Sequence, residues 1–277
     1  MSVIRIERLT RDYGNGKGVF ELSFEVNEGE SFGFLGPNGA GKTTTIRHLM
    51  GFLKAHSGRC TIDGLDCWKD SHQIQAKLGY IPGEISLFSD MTGAEFLRFA
   101  ARYRALGTDR RQKELLERFE LDPRGKMKKM SKGMKQKLGI VAAFMHDPDI
   151  LILDEPTSGL DPLMQSRFID LIAEEKKRGK TILMSSHLFE EVERTCDRVG
   201  IIRQGRLVAV DAMDALRQRH VRTYAVTLES EAQAQAFAED FGGSRRGLTV
   251  TVTAKQSLEE IFMRYYGGGN NAESNAL

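Results

Sequence analysis

The stretch Gly36-Pro37-Asn38-Gly39-Ala40-Gly41-Lys42-Thr43-Thr44 restricts this chain more than any other. It meets the pattern G-x-x-x-x-G-K-[ST] at every position, and both flanks agree with it. The segment Glu30-Ser31-Phe32-Gly33-Phe34-Leu35 before it reads as a buried strand, and residues 44–50 after it read as a helix. A strand, a glycine-rich turn and a helix N-terminus together make a phosphate cradle. The glycines let backbone N–H groups turn toward phosphate oxygens, and the helix end adds partial positive charge. In such a cradle Lys42 reaches the β- and γ-phosphates and the Thr43 hydroxyl binds Mg²⁺.

A second apolar strand, Ile150-Leu151-Ile152-Leu153, ends in Asp154-Glu155. An uninterrupted apolar run of this length is buried on both faces, as in a parallel sheet. A buried strand ending at a polar turn is common by itself, but with a phosphate loop upstream it acquires a role. Asp154 would be held near Mg²⁺, and Glu155 would orient and deprotonate an attacking water.

The chain in order predicts an α/β fold with a mixed β core. Residues 3–9 and 19–26 alternate apolar and polar side chains, as half-exposed strands do. They form an antiparallel β layer that feeds the phosphate-loop strand. Further strands are expected near 58–64, 77–82, 149–154 and 181–185, and helices over 162–178 and 187–196. Residues 198–202 and 206–210 read as a hairpin closed by Arg203-Gln204-Gly205. Between the strands near 77–82 and 149–154 lies a helical subdomain, about 84–146, with helical periodicity over 92–119 and a third helix over 131–146. The nucleotide-binding domain is thus expected over 1–215. A small α/β extension follows over 222–266, with strands near 224–228 and 248–252 and helices near 231–241 and 257–266. The polar tail 267–277 reads as disordered.

With 277 residues the chain is long enough for one large domain and a small appendage. A net charge of +2 carries no global signature for polyanions, so nucleic acid is not an expected partner. Cys60, Cys67 and Cys196 are too scattered for a disulfide framework and read as free thiols of a reducing compartment. No apolar run approaches the ~20 residues that cross a bilayer, and the N-terminal residues do not read as a signal peptide. A membrane role must come through a partner.

Four motifs in order make the resemblance specific: the phosphate loop; Met130-Ser131-Lys132-Gly133-Met134; Leu153-Asp154-Glu155-Pro156-Thr157-Ser158-Gly159-Leu160-Asp161-Pro162; and Ser185-Ser186-His187. The chain resembles the nucleotide-binding subunit of an ATP-binding cassette (ABC) transporter over residues 3–215. That resemblance implies a cytoplasmic P-loop ATPase of ABC type, at the inner face of the membrane, which binds ATP and Mg²⁺. It would drive a separate multi-span permease and act as a homodimer or heterodimer of nucleotide-binding subunits. The Ser131-Lys132-Gly133-Met134 form is similar to that of drug- and bacteriocin-type exporters, which favours export over import. By position alone Ser131 is a plain N-cap. The resemblance instead brings Ser131 and Gly133 to the γ-phosphate held by the other subunit, and Asp161 to a loop that communicates across the dimer. It implies that His187 contacts the γ-phosphate and that Tyr13 stacks on the adenine ring. At a helix start a histidine is more often a surface or cap residue, and a loop tyrosine more often packs.

The chain departs from the family pattern after Tyr80-Ile81-Pro82. The family usually has Gln there, touching Mg²⁺ and facing the membrane partner, whereas this chain has Gly83 followed by Glu84. Glu84 substitutes for that glutamine only if the loop shifts by one residue. The alternative to a transporter subunit is a soluble ABC ATPase acting on DNA or ribosomes. Such relatives usually carry two cassettes or a long coiled-coil insertion, and this chain has neither. The C-terminal extension serves dimer contacts or regulation by resemblance, or is a stabilising addition.

Overall fold

The computed structural model describes residues 1–85, 90–219 and 221–255. They fall into two compact units that divide between Val210 and Asp211. The first opens with β1 (Ser2–Asp12) and β2 (Gly18–Asn27), an antiparallel pair. Ile4, Ile6 and Leu9 face Leu22, Phe24 and Val26 in the core, and the residues between them point outward. This alternation is the period-two signature of a sheet with one wet face. β3 (Ser31–Leu35) is buried throughout, and α1 (Lys42–Leu49) follows it after the phosphate loop. β4 (Ser57–Ile62) and β5 (Leu65–Asp66) complete the first sheet, in the order β2-β1-β4-β5.

After α2 (Ser71–Lys77) and β6 (Leu78–Ile81) come the helices α3 (Gly93–Tyr103), α4 (Arg110–Arg118) and α5 (Lys132–Phe144). α3 starts on a capping box in which Thr92 and Glu95 satisfy each other's backbone N–H groups. Then follow β7 (Ile150–Asp154), α6 (Pro162–Lys177), β8 (Thr181–Ser186), α7 (Phe189–Thr195), β9 (Arg198–Arg203) and β10 (Arg206–Ala212). Arg118 on α4 grips Glu174 on α6 at 2.6 and 3.0 Å, a two-pronged pair between the helical segment and the core.

The second sheet runs β10-β9-β3-β8-β7-β6. β9, β3, β8, β7 and β6 pair in parallel. β8 lies between the phosphate-loop strand and the carboxylate strand. Its register sets Ser186 beside Leu35 and Ser185 beside Asp154. All three strands therefore end on one edge, where open α/β sheets bind their ligands. The antiparallel layer packs on this sheet through Phe24, whose ring stacks on Phe32 at 5.1 Å between centroids.

Gly33 lies at the middle of β3 against α7. A Cβ placed there would stand 2.3 Å from Val192 Cγ1 and 3.2 Å from Cys196 Sγ, both on buried residues. We expect Gly33→Ala to lower the unfolding free energy by about 1–3 kcal/mol, since core overpacking has that cost. An unchanged urea midpoint would show that α7 moves aside freely.

The second unit holds α8 (Met213–Arg219), β11 (Val221–Thr227), α9 (Glu231–Phe241), β12 (Ser244–Arg246) and β13 (Thr249–Lys255). Its sheet runs β11-β13-β12, with antiparallel pairing. The helix expected over 257–266 and the tail 267–277 lie outside the described residues.

The sequence does not predict four of these elements, α2, β5, α8 and β12. In α2 only Ile74 is buried, so no apolar period marks it. β5, α8 and β12 are short as well, at two, seven and three residues. The helix expected from His187 begins instead at Phe189. The Leu188 N–H donates to Ser186 Oγ at 2.9 Å, and this tight turn holds His187 outside the helix.

Candidate functional site

The phosphate loop leaves β3 at Gly36, whose N–H donates to the Ser186 carbonyl at 3.2 Å. Ala40 N–H closes a turn on Pro37 O at 3.1 Å. Gly41, the N-cap of α1, has φ 111°, a region that side chains with a Cβ rarely enter. It turns the chain so that α1 starts at Lys42. No acidic residue of α1 itself occupies its first turn.

Lys42 is 5% exposed. Its Nζ donates to Gly36 O at 2.5 Å and Pro37 O at 3.2 Å, and stands 3.0 Å from Glu155 Oε1. The Glu155 contact is an ion pair without hydrogen-bond alignment, so Oε1 keeps an unfilled acceptor site. The other oxygen, Oε2, lies 2.6 Å from Nδ1 of the His187 ring, which is partly exposed. Lys42, Glu155 and His187 thus form one chain of contacts across the ends of β3, β7 and β8. Glu155 has φ 47°, a left-handed conformation that costs energy outside glycine. Two contacts hold it there: its N–H donates to Ser185 O at 3.2 Å and to Ser185 Oγ at 3.1 Å.

Asp154 is fully buried. Its Oδ1 accepts from Ser185 Oγ at 2.5 Å, and its Oδ2 has no hydrogen-bond partner. Burial raises its pKa above the ordinary carboxylate range, assisted by the charge of Glu155. The Ser185 and Thr43 hydroxyls and the Lys42 charge oppose that shift. A buried carboxylate oxygen without a donor, beside a threonine hydroxyl, offers the hard oxygen ligands that Mg²⁺ prefers. Thr43 and Asp154 therefore fit the cation that the sequence implies.

Gly83 lies against the same carboxylate. A Cβ there would stand 2.9 Å from Asp154 Oδ2. Glu84 is exposed, and no three His, Cys, Asp or Glu groups gather as a metal cage among the described residues. The position that faces the cation ligand is therefore the one without a side chain. Glu84, expected as a metal ligand if the loop shifted by one residue, is an exposed residue one position beyond that glycine.

The remaining sequence-predicted residues are spread around this core. Ser131 caps α5, its Oγ accepting from Met134 N–H at 3.2 Å. Asp161 caps α6 in the same way through Met164 N–H at 3.0 Å, with Pro162 at the first helical position. Both thus have a local structural task. The Gly133 and Lys132 turn packs on the loop after Glu155. A Cβ on Gly133 would stand 2.6 Å from Gly159 O, and Lys132 Nζ donates to Ser158 Oγ at 2.8 Å. Tyr13 is about half exposed in the β1–β2 loop, with the Arg11 guanidinium 5.3 Å from its ring centroid. Sequence reasoning missed Ser185 as the side chain that grips both carboxylate residues. The available signal was a hydroxyl at the end of an apolar strand paired with β7.

The family model described as ABC transporter matches residues 19–158. The chain is 38% identical over 222 residues to the linearmycin resistance ATP-binding protein LnrL of Bacillus subtilis (strain 168), covering 78% of this chain and 71% of that one. It is also 38% identical over 243 residues to the bacitracin transport ATP-binding protein BcrA of Bacillus licheniformis, covering 86% and 79%. Among solved structures, an ATP-binding subunit of an ABC transporter aligns with a TM-score of 0.72 at 33% identity, over 79% of this chain and 93% of that one.

Proposed function

Since this chain belongs to the ABC transporter family, as an ATP-binding subunit and an ATP hydrolase, we propose that it powers export through a permease carried on a separate chain. The similarity to proteins named for linearmycin resistance and bacitracin transport supports a drug- or antibiotic-like cargo. The seat of the subunit is then the cytoplasmic face of the membrane. No helix among the described residues is long and apolar enough to cross a bilayer.

The observation that carries this reading is the contact chain Lys42–Glu155–His187 at the mouth of the phosphate loop. On ATP binding, Lys42 exchanges its ion pair with Glu155 for the β- and γ-phosphate oxygens. Glu155 is then free to accept a proton from the attacking water, and His187 holds the second carboxylate oxygen in place. Thr43 and Asp154 would hold Mg²⁺, which would supply positive charge to offset that of the phosphates. The β- and γ-phosphates lie over the N-terminus of α1, and Tyr13 stacks on the adenine ring.

Two nucleotide-binding subunits pair head to tail, with Ser131 and Gly133 of each completing the site of the other and Asp161 at the seam. ATP binds the closed pair more tightly than the open one, and this differential affinity drives the motion that the permease follows. Gly83 leaves the metal-to-permease contact without a side chain, so coupling there runs through the backbone at Pro82-Gly83. The extension that begins near residue 222 serves dimer contacts or regulation, or is a stabilising addition.

Affinity purification of the tagged full chain from detergent-solubilised membranes tests the partner. A multi-span permease should copurify. Recovery of ribosomes or DNA in its place would overturn the transport assignment.

A further inference from the structure

A buried carboxylate behind the site, Glu191 on α7, is 5% exposed. Its Oε1 accepts from the Thr157 hydroxyl, and its Oε2 accepts from Ser186 Oγ at 2.7 Å. Thr157 and Ser186 are themselves almost fully buried. Their positions give the contact its meaning. Thr157 stands two residues after Glu155, and Ser186 stands one residue before His187. One side chain therefore ties together the two backbone segments that carry the Glu155–His187 pair. Ser186 also accepts from Leu188 N–H at 2.9 Å, which closes the turn that presents His187. Its carbonyl accepts from Gly36 at the start of the phosphate loop.

From this geometry we infer that Glu191 is a positioning residue for ATP hydrolysis, holding Glu155 and His187 at the 2.6 Å separation seen between them. The inference rests on the reading of Glu155 as the group that takes a proton from water. Glu191 itself touches neither nucleotide nor water. Its two carboxylate oxygens accept the two hydroxyl protons, so both hydroxyls are oriented by one rigid acceptor. Burial raises the Glu191 pKa, and the charge of Glu155 pushes the same way, while both hydroxyls favour the ionised form. A bare apolar residue at 191 would leave two buried hydroxyls without that acceptor and free the turn at His187 to drift. Displacements of about 1 Å near a reacting centre cost on the order of 100-fold in rate.

The test measures steady-state ATP hydrolysis and ATP affinity on the full chain. Glu191→Ala should lower kcat at least about tenfold, with the ATP dissociation constant changed less than about threefold. Glu191→Gln should recover most of the rate. Its amide oxygen still accepts one hydroxyl, and its NH₂ donates to the other once that hydroxyl rotates. Thr157→Val, which removes one of the two bonds and keeps the shape, should fall between. In a Glu155→Gln background, Glu191→Ala should add little further loss, since both act on one step. Wild-type turnover in Glu191→Ala, a proportional loss of ATP affinity, or additive losses in the double variant would each overturn the inference. If Glu191→Ala does not fold, an unchanged kcat in Thr157→Val overturns it. If Glu155→Gln alone keeps near-full turnover, the base assignment has failed, and that single variant reveals it.

Discussion

Replacing Glu155 with glutamine is expected to lower ATP turnover by about 10²–10⁴-fold, the range that a positioned general base supplies. The substitution keeps the size of the side chain and its place at the end of β7. The backbone N–H bonds to Ser185 that hold the left-handed conformation are untouched. What is lost is the negative charge 3.0 Å from Lys42 Nζ and one of the two carboxylate oxygens that face Lys42 and His187. Loss of that charge removes the competitor for Lys42. Affinity for ATP should therefore stay level or tighten while kcat collapses. The variant should accumulate as an ATP-bound dimer, visible by size-exclusion chromatography with ATP present. Near-full hydrolysis would remove Glu155 as the base and leave His187 or a phosphate oxygen to take the proton.

Lys42→Ala is expected to act on binding first. The Nζ is nearly buried and has contacts with Gly36 O, Pro37 O and Glu155. Hydrogen bonds to a charged group are worth about 1.5–3 kcal/mol each, and about 1.4 kcal/mol is tenfold in affinity. Loss of one or two such bonds to phosphate should weaken ATP binding by roughly 100-fold. Equilibrium binding of a fluorescent ATP analogue measures it. The two variants therefore separate the roles: Lys42→Ala loses affinity, and Glu155→Gln loses turnover. A Lys42→Ala protein that bound ATP at the native level would show that backbone N–H groups alone retain the triphosphate.

Much of this site was legible because its chemistry needs fixed residue types at short spacing. The run from Gly36 to Thr44 has to be strand, turn and helix start, and Asp154-Glu155 has to end an apolar strand. These features depend on neighbours within a few residues, and the structure forms them where the spacing predicts. His187 is the instructive miss. Its sequence context suggests a helix start, but the Ser186 hydroxyl accepts Leu188 N–H and holds the turn open. Glu191 gave no signal either. It stands beside Glu190 and close to Glu193 in a segment that looks like an ordinary charged helix face. Its burial follows from α7 packing on β3 at Gly33, a contact between residues far apart in the chain.

From sequence alone come the phosphate loop, the carboxylate strand, the ordered motifs and the family they belong to, since each is written in local patterns of glycine, charge and apolar runs. The tertiary structure decided what those motifs touch. Insertion of β8 between β3 and β7 sets Ser185 against Asp154, His187 against Glu155, and Ser186 behind both. It also placed Gly83, with Glu84 turned to solvent, against the Asp154 oxygen that lacks a donor. Strand order and register are set by long-range pairing and core packing, and a linear pattern carries no record of which distant strand becomes the neighbour.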